Sequence, residues 1–309
     1  MKRALALSLV LLAACSQPEP KAAAPAPAAP KVSYDQETRD WQTRRATNLK
    51  KEDSWLTLVG LFWLAEGENR FGSDRAKNNL VMPANACATC GTLTLEPGGK
   101  VTMTPAAPMT IDGKPVTGPV QLIADSQPNG PTVVRLGTMQ FQIIERGGRF
   151  GIRVKDPESP ARKHFQGLEY FPVDPKWRVE AKWEPYNPPK KVPITNVLGM
   201  TSEESSPGAL VFTVDGQEYR IDPIVEQGSD ELFLIFKDAT SRDATYPAGR
   251  YLYTQIPAAG AKTVTVDFNR AFNPPCAFTD FATCPLPPPQ NRLPVRIEAG
   301  EKRYKAGHA

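Results

Sequence analysis

Prolines and glycines are spread along the whole chain, and they limit how far any regular element can run. The 309 residues include 32 prolines and 22 glycines. Proline has no backbone N–H and its ring clashes with the preceding turn of a helix, so long helices are disfavoured where prolines are frequent. We therefore expect many short elements joined by turns, and a helical bundle is a poor match to this sequence.

Apolar and polar residues alternate from Trp55 onward, which is typical of half-buried β-strands. The clearest hairpin spans residues 139–154 with a Gly-Gly turn, and a second spans 210–221 with an Asp-Gly turn. Further strands are expected over residues 101–104, 232–236 and 264–268.

A helix is predicted over residues 34–50, because Ser33 and Gln36 have the spacing of a capping box. Its apolar face is thin and consists of Trp41 and Leu49, so we expect it to lie on the surface. Together these patterns predict a mainly β fold: an antiparallel barrel or sandwich with an N-terminal surface helix.

The first 15 residues have the pattern of a bacterial lipoprotein signal. Lys2 and Arg3 precede an apolar run, residues 4–14, that is shorter than the roughly 20 residues needed to span a bilayer. The run ends at Cys15, whose thiol would carry the lipid, with palmitate-type acyl chains as the membrane anchor. Ser16 follows, which favours the outer membrane facing the periplasm over the inner membrane. An ordinary secretory signal with a chance cysteine is the alternative.

The segment after the cysteine is rich in proline and alanine and is expected to act as an extended tether. The predicted organisation is a signal peptide (1–14), a lipidated cysteine with its tether (15–32), a single β-rich domain (33–305) and a short tail (306–309).

Charge and motifs exclude several classes of function. The formal net charge is only +4 and no basic block is present, so nucleic acid is not an expected partner. The sequence contains no G-x-S-x-G elbow, P-loop, Rossmann glycine fingerprint or H-E-x-x-H motif. No metal site and no cofactor are predicted. Of the two histidines, His308 is in the tail, so any histidine base must be His164, which is otherwise a surface residue.

Four cysteines remain once Cys15 is set aside, namely Cys87 and Cys90 as C-x-x-C, and Cys276 and Cys284 as C-x7-C. An even number of thiols outside the cytoplasm predicts disulfides, and local pairing, 87 with 90 and 276 with 284, is preferred over the crossed alternatives. A redox pair or a zinc site is the alternative, although the C-x-x-C lies in a loop-like context and C-x7-C is wide for a zinc site.

The most unusual stretch is the proline-rich loop, residues 267–293. Long irregular loops in compact domains are usually functional or disordered, and the prolines, phenylalanines and cysteines here argue against disorder. Its polar residues either line a pocket or hold turns through bonds to nearby backbone. The candidate pocket or catalytic residues, in and near this loop, are Arg153, Arg162, His164, Tyr170, Asp267, Asn269, Asn273, Asn291 and Arg292.

Four segments resemble a bacterial family known as the domain of unknown function 1684. They are residues 55–74, 147–156, 171–174 and the loop 273–293, within a resemblance that spans roughly residues 38–304. The resemblance implies no activity and no catalytic residues. Cys276 and Cys284 match the family loop, whereas Cys87 and Cys90 match no family motif, which favours a local disulfide there.

Three functions are compatible with these features. The first is a binding domain whose site near the proline-rich loop takes a small molecule with an anionic group, because arginines suit a carboxylate or phosphate. The second is an envelope hydrolase in which His164 is the general base, oriented by Asp156 or Asp267. The third is a structural envelope protein that docks a partner through the same loop.

The lipid anchor generates a direct prediction. Replacing Cys15 by Ser (Cys15→Ser) should release the protein into the soluble periplasmic fraction, because the lipidated thiol is its only expected membrane attachment. Fractionation followed by immunoblotting measures the distribution, and Ser16→Ala is the matched control. Membrane retention of the Cys15→Ser variant would count against the lipoprotein hypothesis.

Overall fold

The computed structural model describes residues 33–305. The predicted signal peptide, Cys15 with its predicted tether, and the predicted 306–309 tail therefore lie outside the described residues. Among the described helices, none is long and apolar enough to cross a membrane. The helices are α1 (Tyr34–Leu49) and α2 (Pro160–Lys163). The strands are β1 (Leu58–Trp63), β2 (Gly67–Gly72), β3 (Leu80–Val81), β4 (Gly91–Leu95), β5 (Val101–Pro105), β6 (Thr110–Ile111), β7 (Lys114–Pro115), β8 (Val120–Leu122), β9 (Val133–Leu136), β10 (Met139–Arg146), β11 (Arg149–Lys155), β12 (Arg178–Thr195), β13 (Thr201–Val214), β14 (Gln217–Ile221), β15 (Glu231–Phe236), β16 (Arg250–Gln255) and β17 (Thr263–Asp267).

The first half of the described chain forms two sheets that share one hydrophobic core. One has the order β1-β11-β10-β9-β6-β7, and the other has the order β3-β2-β4-β5-β8. Phe71 of one sheet meets Phe141 of the other edge-on, with ring centroids 5.4 Å apart. Both side chains are buried, because alternate residues of each strand face the opposite sheet. The mainly β, antiparallel fold predicted from the sequence is confirmed.

The second half forms a four-stranded sheet, β14-β13-β12-β17, and a two-stranded sheet, β15-β16. Its core contains Phe212, Phe236 and Phe268, whose rings pack in contact. The sequence did not predict β12, which is 18 residues long and contains four prolines. β12 pairs with β17 only over Arg178–Lys182, so the proline-bearing part that follows has β13 as its single partner strand. Proline is tolerated there because a strand with one neighbour needs no backbone N–H on its open side.

Both predicted hairpins are present. The β10–β11 hairpin turns through Gly147 and Gly148, with φ of 56° and 74°. The β13–β14 hairpin turns through Asp215 and Gly216, with φ of 50° and 79°. Two successive left-handed residues match the right-handed twist of the flanking strands, which is why Gly-Gly and Asp-Gly are favoured at these positions.

Beyond Phe268 the described chain has no strand, and three short 3-10 helices are its only regular structure. A buried ion pair fastens this C-terminal segment to the sheets. Arg250 and Asp238 have side-chain exposures of 0% and 2%, and their charged groups are 3.0 Å apart. Arg250 also donates to the carbonyls of Ile297 and Ala299, while Asp238 accepts from the backbone N–H of Ile297 at 2.8 Å. The pair thus supplies partners for backbone groups that no strand satisfies.

Arg250→Met should lower the free energy of unfolding by about 3–5 kcal/mol, because it leaves the buried Asp238 carboxylate without its cation. Arg296→Met is the matched control: Arg296 is 44% exposed beside Asp243, so its loss should leave the free energy of unfolding nearly unchanged. Urea unfolding followed by circular dichroism measures both values. Similar losses in the two variants would show that the buried pair does not anchor the segment.

Candidate functional site

A cavity of about 410 Å³ lies where the six-stranded sheet, the β15–β16 sheet, helix α1 and the proline-rich loop meet. Arginines, aromatic rings and the 282–285 stretch of the loop dominate its wall. The lining residues are Arg45, Trp55, Arg146, Arg153, Glu226, Phe233, Tyr251, Tyr253, Phe272, Pro275, Ala282, Thr283, Cys284 and Pro285.

Arg153 is the central cation of this cavity. On β11 its neighbours Ile152 and Val154 belong to the shared core, so alternation directs Arg153 to the opposite face, where the loop covers it. Its exposure is only 6%, and its Nε has no hydrogen-bond partner. Its Nη2 donates to the hydroxyl of Thr283, at 3.2 Å.

Burial, reinforced by repulsion from Arg146, lowers the pKa of Arg153 to about 10. The guanidinium therefore stays charged at neutral pH, but its charge is disfavoured by the surroundings. None of the ion pairs among the described residues includes Arg153. An anionic group placed in the cavity would supply the missing partner.

The other two arginines of the wall already have carboxylate partners. Arg146 donates through both terminal nitrogens to Asp125, at 3.0 and 2.8 Å. Arg45, on α1, donates to Glu301 at 3.0 Å and to the carbonyl of Asn273 at 3.1 Å. Arg153 is thus distinguished from them by its lack of a counter-charge.

An aromatic stack forms another side of the cavity. The ring of Tyr253 is parallel to those of Phe233 and Phe272, with centroids 4.8 and 5.9 Å away. Trp55, whose ring centroid lies 5.7 Å from the Arg153 guanidinium, is 37% exposed, as is Tyr253. Exposed aromatic rings beside an unpaired cation are suited to a flat ligand that carries an anionic group.

The cysteines are only partly as predicted. Cys87 and Cys90 form the predicted disulfide. Cys276 and Cys284 do not: the structure has both as free thiols, which corrects the prediction of a second disulfide. The loop brings them together nonetheless, and the backbone N–H of Cys276 donates to Sγ of Cys284 at 3.0 Å. Cys284 lines the cavity directly.

The three candidate asparagines form hydrogen bonds with backbone groups and do not line the cavity. Asn291, 1% exposed, accepts from the N–H of Asp222 and donates to the carbonyls of Asp222 and Ile235, at 2.8–3.0 Å. Asn269 exchanges bonds with the backbone of Asp174 in the same way. Asn273 donates to the carbonyl of Lys302 at 2.8 Å. These contacts favour the alternative in which the asparagines stabilise the loop.

The remaining polar candidates are also engaged away from the cavity. Asp267 accepts from the hydroxyl of Tyr34 at 2.8 Å. Tyr170 packs edge-on against Trp41, with centroids 6.5 Å apart. Arg162 donates to the carbonyl of Lys50 at 2.7 Å, and Arg292 donates to that of Pro287 at 3.3 Å.

His164 does not join a catalytic group. It is exposed at the end of α2 and is not part of the cavity wall. Asp156, one of its expected partners, accepts instead from the side chain of Asn85 at 2.8 Å and from the N–H of Glu158 at 2.9 Å. Within residues 33–305 no three His, Cys, Asp or Glu side chains are grouped so that they could hold a metal ion.

Sequence reasoning missed most of the wall. Arg45, Arg146 and Tyr253 come from three distant parts of the chain and belong to no recognisable motif, and Trp55 opens a segment of the family resemblance that gives no sign of a cavity. The one available signal was on β16, where Tyr251 and Tyr253 alternate on one face of a strand. That pattern indicates an aromatic face, but it does not identify what the face meets.

Comparison with known proteins identifies the family. The family model described as "Protein of unknown function (DUF1684)" matches residues 163–302. The chain belongs to this family. The match includes β12 to β17 and the proline-rich loop, and it confirms the resemblance predicted from the sequence, although it begins later in the chain.

Two solved structures show limited similarity. An uncharacterised protein from Haloarcula marismortui, determined by solution NMR, is 32% identical, over 46% of this chain and 78% of its own, with a TM-score of 0.39. The FHA domain of a Chlamydia trachomatis protein is 16% identical, over 32% of this chain and 95% of its own, with a TM-score of 0.22. Superpositions this weak support no conclusion about fold or function. No curated protein matches.

Asn291→Ala should lower the free energy of unfolding by about 2–3 kcal/mol, because it leaves buried backbone groups of Asp222 and Ile235 without partners. Asn48→Ala, at an exposed position of α1, should change it by less than about 0.5 kcal/mol. Thermal and urea unfolding of the two variants provide the comparison. A stable Asn291→Ala protein would contradict the assigned structural role.

Proposed function

We propose that this protein binds a small organic anion in the cavity, with a carboxylate or phosphate on Arg153 and a flat apolar part against the aromatic stack. The observation that supports this most is the buried guanidinium of Arg153, which has an unpartnered Nε and no carboxylate within ion-pair distance. Charge-assisted bonds to an anion would satisfy it, and their strength is greatest where water is excluded.

The size of the cavity and the residues of its wall also support a binding role. The cavity volume of about 410 Å³ is within the usual range for small-molecule sites. The wall contains one carboxylate, Glu226, whose side chain accepts from the hydroxyl of Tyr253 at 2.9 Å. That bond would keep the aromatic ring in place while leaving Arg153 available to the ligand.

We further propose that the domain acts in the bacterial cell envelope, where lipid on Cys15 holds it to a membrane. The outer membrane, with the domain facing the periplasm, is favoured over the inner membrane. The sequence pattern of residues 1–16 supports this placement. The tether would allow the domain to lie up to roughly 50 Å from the membrane.

Arg153→Gln should reduce retention of anionic ligands on the order of tenfold or more, since a bond to a charged group contributes about 1.5–3 kcal/mol. The full-length protein is incubated with a defined mixture of aromatic carboxylates, phosphates and their neutral analogues, and retained compounds are measured by mass spectrometry after gel filtration. Arg135→Gln, an exposed arginine of β9 in the same sheet, is the matched control and should bind normally.

The proposal would be overturned if the wild-type protein retained no anion from the mixture. It would also be overturned if neutral analogues were retained equally well, or if Arg153→Gln and Arg135→Gln behaved alike.

A further inference from the structure

Two thiols that are not bonded to each other lie together beside the cavity: Cys284 is in its wall, and Cys276 contacts Cys284 from behind it. Cys284 is 4% exposed, and its sulfur accepts from the backbone N–H of Cys276 at 3.0 Å. The thiol of Cys276 donates to the carbonyl of Ala282 at 3.5 Å. The loop that carries them is stiffened by prolines, so this approach is part of the folded geometry.

The two thiols differ in their surroundings. Cys276 is half-buried, and the hydrogen bond from Cys284 lowers the pKa of its thiol, with a contribution from the positive charge of Arg153. Burial raises the pKa of the Cys284 thiol. A thiolate is the nucleophile in disulfide exchange, so Cys276 has the character of an attacking thiol and Cys284 that of a resolving thiol.

Cys87 and Cys90 provide a contrast within the same protein. They are already joined, Cys90 has no exposed surface, and both pack with the core of the first two sheets. Their position is that of a structural disulfide, whereas the free pair adjoins a cavity that a small molecule can enter.

We propose that Cys276 and Cys284 form a redox-active dithiol that reduces small disulfides, and that Arg153 selects disulfides carrying carboxylates. The preference for disulfides that carry carboxylates is the part of this proposal that rests on the proposed anion site. The dithiol itself rests on the contact between the two cysteines and on the position of Cys284 in the cavity wall.

The chemical step is a thiol–disulfide exchange in two stages. The Cys276 thiolate attacks one sulfur of the small disulfide, forming a mixed disulfide and expelling the other half as a thiolate, which takes up a proton. The Cys284 thiol then loses its proton and attacks Sγ of Cys276, forming the 276–284 disulfide and expelling the second half, which is protonated in turn. Two thiols of the protein are oxidised and one disulfide is reduced to two thiols.

The test uses the reduced full-length protein with oxidised glutathione, a disulfide that carries carboxylates, and with cystamine, its cationic counterpart. Peptide mapping after alkylation should show one new disulfide between Cys276 and Cys284 for every two glutathione molecules released. Cys284→Ser should stop with one glutathione on Cys276, and Cys276→Ser should acquire none. The double variant Cys87→Ser/Cys90→Ser is the control and should react like the wild type.

Oxidised glutathione should react on the order of tenfold faster than cystamine, and Arg153→Gln should remove this preference, because the cation that distinguishes the two reagents is then absent. Thiols that react only after denaturation, or an adduct that forms on Cys284 in place of Cys276, would overturn the dithiol. Equal rates with the two reagents would overturn the charge selection and count against the anion site, while an adduct on Cys276 would still support the dithiol.

Discussion

The ion pair between Arg250 and Asp238 is the interaction on which the second half of the structure most depends. Almost forty residues after β17 contain no strand, so their buried backbone groups lack the partners that a sheet would give them. Arg250 and Asp238 supply such partners from two neighbouring strand ends, and the buried asparagines of the loop do the same further along. The loop can therefore form one wall of the cavity without being part of a sheet.

This arrangement explains why Arg153 is the arginine of the cavity wall that lacks a counter-charge. The arginines of its wall that come from α1 and β10 are each neutralised by a carboxylate, so their role is to hold elements together. Arg153 is placed by strand alternation on the face that the loop closes over, and the loop offers it only a hydroxyl, from Thr283. A cation buried in this way costs stability unless something compensates it, which is why its unpaired state is informative.

The sequence predicts the local elements well and the site only in part. The two hairpins and α1 follow from turn residues and periodicity, which act over a few positions. β12 was missed because its prolines argue against a strand, and the edge position that makes them tolerable is a property of the whole sheet. Arg153 and the proline-rich loop, both candidates from the sequence, meet at the cavity. The separation of His164 from the cavity and the assembly of the aromatic wall depend on contacts between distant segments, which the local patterns of one sequence do not specify.

The prolines of β12 also affect how molecules of this protein meet one another. An open strand edge offers unpaired N–H and C=O groups to any similar edge nearby, and such edges are the usual starting points of aggregation. Pro185, Pro188, Pro189 and Pro193 have no N–H, so this part of β12 presents fewer donors to an approaching strand. The same residues that obscured this strand in the sequence thus protect the folded protein against unwanted sheet extension.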